Sequence, residues 1–212
     1  MTPKLVIFDC DGVLVDTETI TNEVIATNLQ KYGLNILAEE TLTLFAGGTM
    51  QGVAAEATRR GAKLPSDWLD EIYDQMFQEL RKGVAVIDGV WDLIDRLKGI
   101  QIAIASNGPM AKMEVTLKPS GLWDRFDGRI YSGHDHGPKP APDMLLRIMR
   151  DAGISAQDTV MIDDMPSGCQ AAQAAGIKCF GFVATGDPSR INGTGAIPVT
   201  SLADIATALD LP

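Results

Sequence analysis

Four short runs in which apolar residues follow one another without alternation stand out along the chain: KLVIFD at 4–9, QIAIAS at 101–106, DTVMIDD at 158–164 and KCFGFVA at 178–184. Unbroken apolar runs of this length suit strands covered on both faces, and the helix-like segments between them imply βαβ crossovers, so the pattern predicts an α/β core with a parallel sheet. The alternation is interrupted once. From 16 to 83 no convincing strand is found, while TETITNEVIATNLQKYG and DWLDEIYDQMFQELRKG carry the spacing of amphipathic helices. Each ends in a glycine, Gly33 or Gly83, placed to close a helix. The expected organisation is therefore a Rossmann-like core from 1–15 and 84–212, with a helical insertion at 16–83. Its two connections, GVLVDT and GVAVIDG, are suited to a two-strand hinge. A last strand at AIPV and a helix at LADIATALD complete the flank of the sheet.

Composition narrows the partners. A chain of 212 residues, 45% hydrophobic, can bury a real core, and a formal net charge of −10 disfavours nucleic acid or an anionic membrane surface. A small anion remains admissible where local cations receive it. Three cysteines with no metal-ligand spacing argue against a disulfide framework or structural zinc. The apolar run at the start is too short for a signal segment and no stretch is long enough to span a bilayer, so the expectation is a cytoplasmic protein.

The chemistry gathers at the strand ends. In an open parallel sheet the carboxyl ends of neighbouring strands converge on one crevice. The first strand delivers Asp9 and Asp11, the second Ser106 and Asn107, the third Asp163 and Asp164; Lys139 lies in HGPKPAPD, just ahead of a helix starting at Pro142 or Asp143. Asp9 and Asp11 are two residues apart on an extended segment and point the same way, so they repel unless a cation or proton lies between them. Three or four carboxylates around one point call for a hard cation, and oxygen ligands with room for water suit Mg²⁺. A carboxylate kept ionised beside a phosphoryl group can attack it, with Lys139 and Ser106 holding the other phosphoryl oxygens and a second carboxylate moving the proton.

The segments DCDGVLVDTE, SNG, KPAPD and IDDMPSG resemble the four ordered motifs of the haloacid dehalogenase-like (HAD) hydrolases, in the subgroup with a helical cap after the first motif. Within it, SNGPMAKM and the overall layout resemble bacterial sugar-phosphate phosphatases and the β-phosphoglucomutases. The resemblance covers nearly the whole chain. It implies that Asp9 is the nucleophile and Asp11 the acid/base, and that Mg²⁺ is held by Asp9, the main-chain carbonyl of Asp11 and Asp164, with Asp163 supporting. It further implies that Ser106, Asn107 and Lys139 hold the phosphoryl group, and that the substrate is a small phosphate ester, a sugar or sugar-acid phosphate such as 6-phosphogluconate. The cap loop FAGGTMQG, flexible at Gly47 and Gly48, is expected to read the leaving group through Thr49 and Met50, with Glu18 at the hinge. Closure of the cap is expected to dry the crevice. Oligomeric state is not legible.

Each residue has a structural reading too. Asp11-Gly12 is a turn signal, Asp163-Asp164 or Ser106 could cap a helix, and a loop lysine is usually solvated. Their ordered occurrence at the strand ends or the loops beside them is what independent capping does not predict. Cys10 is expected to point into the core, Trp68, Trp91 and Trp123 to pack in the core or between domains, and His134 and His136 to form at most a weak metal site. Among rival chemistries, a dehalogenase leaves Asp11, Asp163 and Asp164 unexplained, and a phosphonatase needs a cap lysine that Lys31, Lys63 and Lys82 do not supply by motif. A β-phosphoglucomutase normally carries an arginine where this chain has Gly48-Thr49-Met50 and a histidine near Thr21. A mutase grips two phosphates in turn, so the missing second cation favours hydrolysis. A sensor that binds without turnover would need a damaged catalytic set.

Overall fold

The computed structural model describes residues 2–45, 49–184 and 188–211. In chain order its elements are β1 (Leu5–Phe8), β2 (Val15–Asp16), α1 (Glu18–Lys31), α2 (Ala38–Phe45), α3 (Met50–Arg59), α4 (Trp68–Leu80), β3 (Ala85–Val86), α5 (Val90–Arg96), β4 (Gln101–Ser106), α6 (Met110–Leu117), α7 (Leu122–Arg125), β5 (Ile130–Ser132), α8 (Gly133–His136), α9 (Asp143–Ala152), β6 (Thr159–Asp163), α10 (Pro166–Ala174), β7 (Lys178–Phe182), β8 (Ile197–Val199) and α11 (Leu202–Ala208). The chain divides into two compact units, one built from residues up to Asp16 and from Ala85 onward, the other from Thr17–Val84.

The first unit is a six-stranded parallel sheet in the order β5-β4-β1-β6-β7-β8. All four residues of β1 are fully buried, which is why that run shows no alternation. Leu5 and Ile7 share one apolar cluster with Ala103, Ala105, Met144, Ile148 and Met161. Truncating Ile7 to alanine there would cost about 2–5 kcal/mol. Phe8 pairs with Ile104 on one side and Ile162 on the other, so β1, β4 and β6 finish side by side. From β1 the chain steps to β4 on one side and from β6 to β7 on the other, so the order reverses between β1 and β6, the switch point where an α/β sheet opens a crevice.

The two connections at the insertion form a small antiparallel ribbon, with Val15 opposite Val86 and Asp16 opposite Ala85. The AIPV segment supplies β8 and LADIATALD supplies α11, which starts with a capping box between Ser201 and Asp204. The edge strand β5 has only three residues, too few for the apolar pattern to mark it.

Among the described residues the second unit holds four helices, α1 to α4. Gly33, at φ 88°, follows α1, and Gly83, at φ 125°, follows α4, as their placement predicts. Asn28 is buried in α1 and fully used: its carboxamide oxygen accepts from Trp68 Nε1 at 2.6 Å, and its nitrogen donates to Glu71 and Gln75, each at 3.0 Å. Tyr32 adds a hydrogen bond to Glu71. Trp68 is thus core, as expected. Trp91 is not: it is 37% exposed, with the Arg125 guanidinium over its ring, and Trp123 is half-buried beneath Lys118. Their rings serve as platforms for cations at the surface. Among the described residues no helix is long and apolar enough to cross a membrane.

Candidate active site

Asp9 leaves the end of β1 with its N–H donating to Ile162 of β6 at 2.9 Å, which ties it to the neighbouring strand. The chain then turns at Gly12, whose φ of 79° favours glycine, while Cys10 points into the core as its place between the two acids implies. Gly12 is required for a second reason. A Cβ there would lie 2.7 Å from Asp164 Oδ2, so the acid at the end of β6 fits only against a bare backbone. Asp163 is held just as closely: a Cβ on Gly168 of α10 would fall 1.8 Å from its Oδ2. That oxygen accepts from Lys139 Nζ at 2.7 Å, and Oδ1 accepts from the Met165 N–H at 2.9 Å.

Lys139 is buried, its side chain 4% exposed, and its ammonium also reaches Asp9 Oδ1 at 2.6 Å. It is far from a solvated loop lysine. Asn107 fixes the loop that carries it: Asn107 Oδ1 accepts from the Lys139 N–H at 2.7 Å, and Nδ2 donates to the Lys139 carbonyl at 3.0 Å. The side chain expected on a phosphate is engaged with the main chain of the lysine. Ser106 is buried at the end of β4, and its Oγ accepts from the Gly108 N–H at 3.0 Å rather than capping α6. Ser132 of β5 steadies the same turn by donating to the Gly108 carbonyl at 2.8 Å. Helix α9 starts at Asp143, one of the two expected positions.

One oxygen from each of Asp9, Asp163 and Asp164 lies within 4.8 Å of the others, all three residues buried. Burial pushes the Asp9 carboxyl up to about 7, Asp163 and Asp11 push the same way, and Lys139 opposes them. Lys139 is buried too, yet Asp163 and Asp9 hold its ammonium well above the usual lysine range. Among the described residues the four carboxylates of Asp9, Asp11, Asp163 and Asp164 outnumber by one the three cations in contact with them, Lys139, Lys112 and Arg190, so negative charge is in excess. The donor set is all oxygen and rigidly seated against Gly12 and Gly168, and a hard divalent cation fits it.

Two further cations reach this site without belonging to any of the four motifs. Lys112 Nζ lies 2.8 Å from Asp11 Oδ1, and Arg190 donates from Nη2 to the Asp164 carbonyl at 2.6 Å and to its Oδ2 at 3.1 Å. The sequence holds one clue for the first: Lys112 falls in the opening turn of α6, where the helix dipole disfavours a positive charge unless an acid answers it. Arg190 lies beyond the last motif and carries no such mark.

The residues expected to read the leaving group lie in the second unit. Thr49 is the N-cap of α3, accepting from the Gly52 N–H at 3.2 Å, Met50 opens that helix, and Glu18 opens α1. Gly47 and Gly48 lie outside the described residues. His134 and His136 occupy the four-residue α8, with the His136 ring 5.4 Å from that of Tyr131. Among the described residues the aspartate cluster is the one group of three or more such side chains placed to hold a metal.

Comparison with known proteins agrees with this arrangement. A family model described as haloacid dehalogenase-like hydrolase matches residues 6–182. A 6-phosphogluconate phosphatase of Escherichia coli (strain K12) is 26% identical over 184 residues, covering 85% of this chain and 83% of that protein. A solved structure of a conserved haloacid dehalogenase-like protein of unknown function from Agrobacterium tumefaciens superposes with a TM-score of 0.88 at 31% identity, covering 98% of this chain and 97% of that one. A HAD family hydrolase from Deinococcus radiodurans, solved with bound phosphate and sodium, gives 0.81 at 29% identity, covering 97% and 94%. With acids and a hydroxyl at the ends of β1, β4 and β6, a lysine brought to them by the loop before α9 and the family model spanning most of its length, this chain belongs to the haloacid dehalogenase-like hydrolases.

Proposed function

We propose that this phosphatase is Mg²⁺-dependent and hydrolyses small phosphate monoesters, sugar or sugar-acid phosphates among them, through an aspartyl-phosphate on Asp9. The observation that carries the reading is the ammonium of Lys139 bridging Asp9 and Asp163 inside a buried three-aspartate cluster beside Ser106. Asp9, Asp164 and the main-chain carbonyl of Asp11 would hold the cation, with Asp163 supporting them. Bound there, Mg²⁺ supplies positive charge against the phosphoryl oxygens and the carboxylates.

In the first half-reaction an Asp9 oxygen attacks phosphorus and the bond to the leaving oxygen breaks, while Asp11 gives that oxygen its proton. In the second, Asp11 takes a proton from water, the water oxygen attacks phosphorus, and Asp9 departs as a carboxylate. Ser106 and Lys139 hold the phosphoryl oxygens in both halves, and Asn107 keeps Lys139 in place through its main chain. Uncatalysed monoester hydrolysis is so slow that the site must lower the barrier by on the order of 20 kcal/mol. Preorganised charge of this kind is the largest source such sites have.

The name of the Escherichia coli relative supports a sugar-acid phosphate as substrate. Thr49, Met50 and Glu18 are assigned to reading the leaving group. The test is phosphate release from a panel of phosphorylated sugars, sugar acids, glycolate, nucleotides and pyrophosphate, with Mg²⁺ and with chelator. Release that requires the metal is the expected result. A folded, metal-loaded protein that releases phosphate from none of them would overturn the hydrolase reading, and conversion of β-glucose 1-phosphate to its isomer would replace it with the mutase.

A further inference from the structure

Lys112 occupies a position that helix electrostatics disfavours and burial makes worse: the first turn of α6, with its side chain only 15% exposed. Its partner Asp11 is 26% exposed at the side chain, so the pair is neither fully solvated nor of the surface kind that contributes little. The route of the lysine stem is set by Gly108. A Cβ at that glycine would stand 3.5 Å from Lys112 Cδ, 3.3 Å from Ser106 Oγ and 3.8 Å from Asp11 Oδ2. The space over Gly108 is where the lysine stem, the phosphate-holding hydroxyl and the second oxygen of Asp11 come together. The ammonium takes Oδ1 of Asp11 at 2.8 Å. Oδ2 of Asp11 and Oγ of Ser106 both border Gly108.

We propose that Lys112 is a positioning residue for the acid/base step: by clasping Oδ1 it fixes the rotamer of Asp11 and assigns the transferable proton to Oδ2, the oxygen that shares the space over Gly108 with Ser106. A carboxyl group that turns about its two side-chain bonds presents one oxygen or the other, and a misplacement of about an ångström at a reacting group is enough to lower a rate about 100-fold. The proton balance is unchanged. Oδ2 delivers one proton to the leaving oxygen and recovers one from the attacking water, while the Lys112 ammonium keeps its own throughout. The inference rests on the hydrolase reading and deepens it.

The test exploits the leaving group. An alkoxide needs a proton to depart and p-nitrophenolate does not, so kcat/KM, which reports the steps up to departure, separates proton delivery from phosphate binding. Lys112→Met is expected to lower kcat/KM about 10–100-fold for the aliphatic ester that the wild type hydrolyses best, but less than about 3-fold for p-nitrophenyl phosphate. Lys112→Arg restores most of the loss. In an Asp11→Asn background the methionine change costs nothing further, because its effect runs through Asp11. Equal losses on both esters, or a full additional loss in the Asp11→Asn background, would overturn the inference and leave the hydrolase reading standing. A wild type inactive on every ester would overturn the hydrolase reading, and the inference with it. Should Lys112→Met fold poorly, Lys112→Gln carries the same comparison.

Discussion

Replacing Asp9 by asparagine separates folding from chemistry, because the wild-type carboxylate is a burden to the metal-free fold. Its carboxyl is moved from 3.8 to about 7 by burial and by the neighbouring acids Asp163 and Asp11, against the pull of Lys139. Holding it ionised therefore costs the folded state on the order of 4 kcal/mol. The sign follows from proton linkage. An acid whose value is higher folded than unfolded binds more protons in the fold, so stability falls as pH climbs from about 4 to about 7 and levels off above. The substituted asparagine carries no such charge, and its carboxamide oxygen can still accept from Lys139. In EDTA at pH 8 the variant should be the more stable by on the order of 2–4 kcal/mol. For a chain of this length that is a rise in Tm of up to about 10 °C. At pH 4 the two should melt together, and saturating Mg²⁺ should reverse the order by stabilising the wild type. Urea or thermal unfolding at the two pH values, with and without metal, gives the four numbers needed. A variant less stable than wild type in EDTA at pH 8, or a difference independent of pH, would refute the electrostatic reasoning. Phosphate release by the variant above a trace would refute the nucleophile.

Asp11→Asn should slow turnover by about 100-fold or more while Mg²⁺ binding, followed by calorimetry, is retained through the main-chain carbonyl. Arg190→Ala removes the guanidinium that orients Asp164 from its carbonyl and Oδ2, and should weaken Mg²⁺ or Mn²⁺ binding about 10-fold in the same calorimeter. Gly168→Ala places a methyl group against Asp163, and urea titration should show a loss of about 1–3 kcal/mol together with reduced activity. Exchanging Met50 or Thr49 should reorder substrates in the phosphate-release panel with p-nitrophenyl phosphate turnover nearly unchanged; uniform loss on all esters would remove them from substrate reading.

What can be read from the chain follows from how locally each feature is encoded. The strands of the sheet interior announce themselves because both faces are covered, so β1, β4, β6 and β7 read as unbroken apolar runs. β5 does not, since three residues containing the half-buried Tyr131 carry too little pattern. The strand-end rule brings Asp9, Asp11, Ser106, Asp163 and Asp164 to one place without any knowledge of loops. Side-chain pairing is a different matter. Which cation meets which acid depends on the register of β1 against β4 and β6 and on where the next helix begins. Arg190 is therefore invisible in the sequence as the partner of Asp164, and Lys112 shows only as a positive charge in the opening turn of a helix, with the acid that answers it unnamed. The motif assigns Asn107 to the phosphate, and the structure shows its amide on the main chain of Lys139, 32 residues on. Trp91 and Trp123 mislead for a simpler reason. A large ring is apolar enough to suggest the core, yet a neighbouring arginine or lysine covers its face equally well at the surface.

The ribbon of β2 and β3 makes the insertion separable as a matter of chain topology. Asp16 and Ala85 are register partners in an antiparallel pair, so the points where the chain departs and returns are already as near as a hairpin requires. To the sheet, the 68 residues of Thr17–Val84 are an elaborate turn. Shortening that turn to two residues, or exchanging it for a different one, leaves every strand pairing of the larger unit untouched, and this is the arrangement under which one sheet can carry many different insertions.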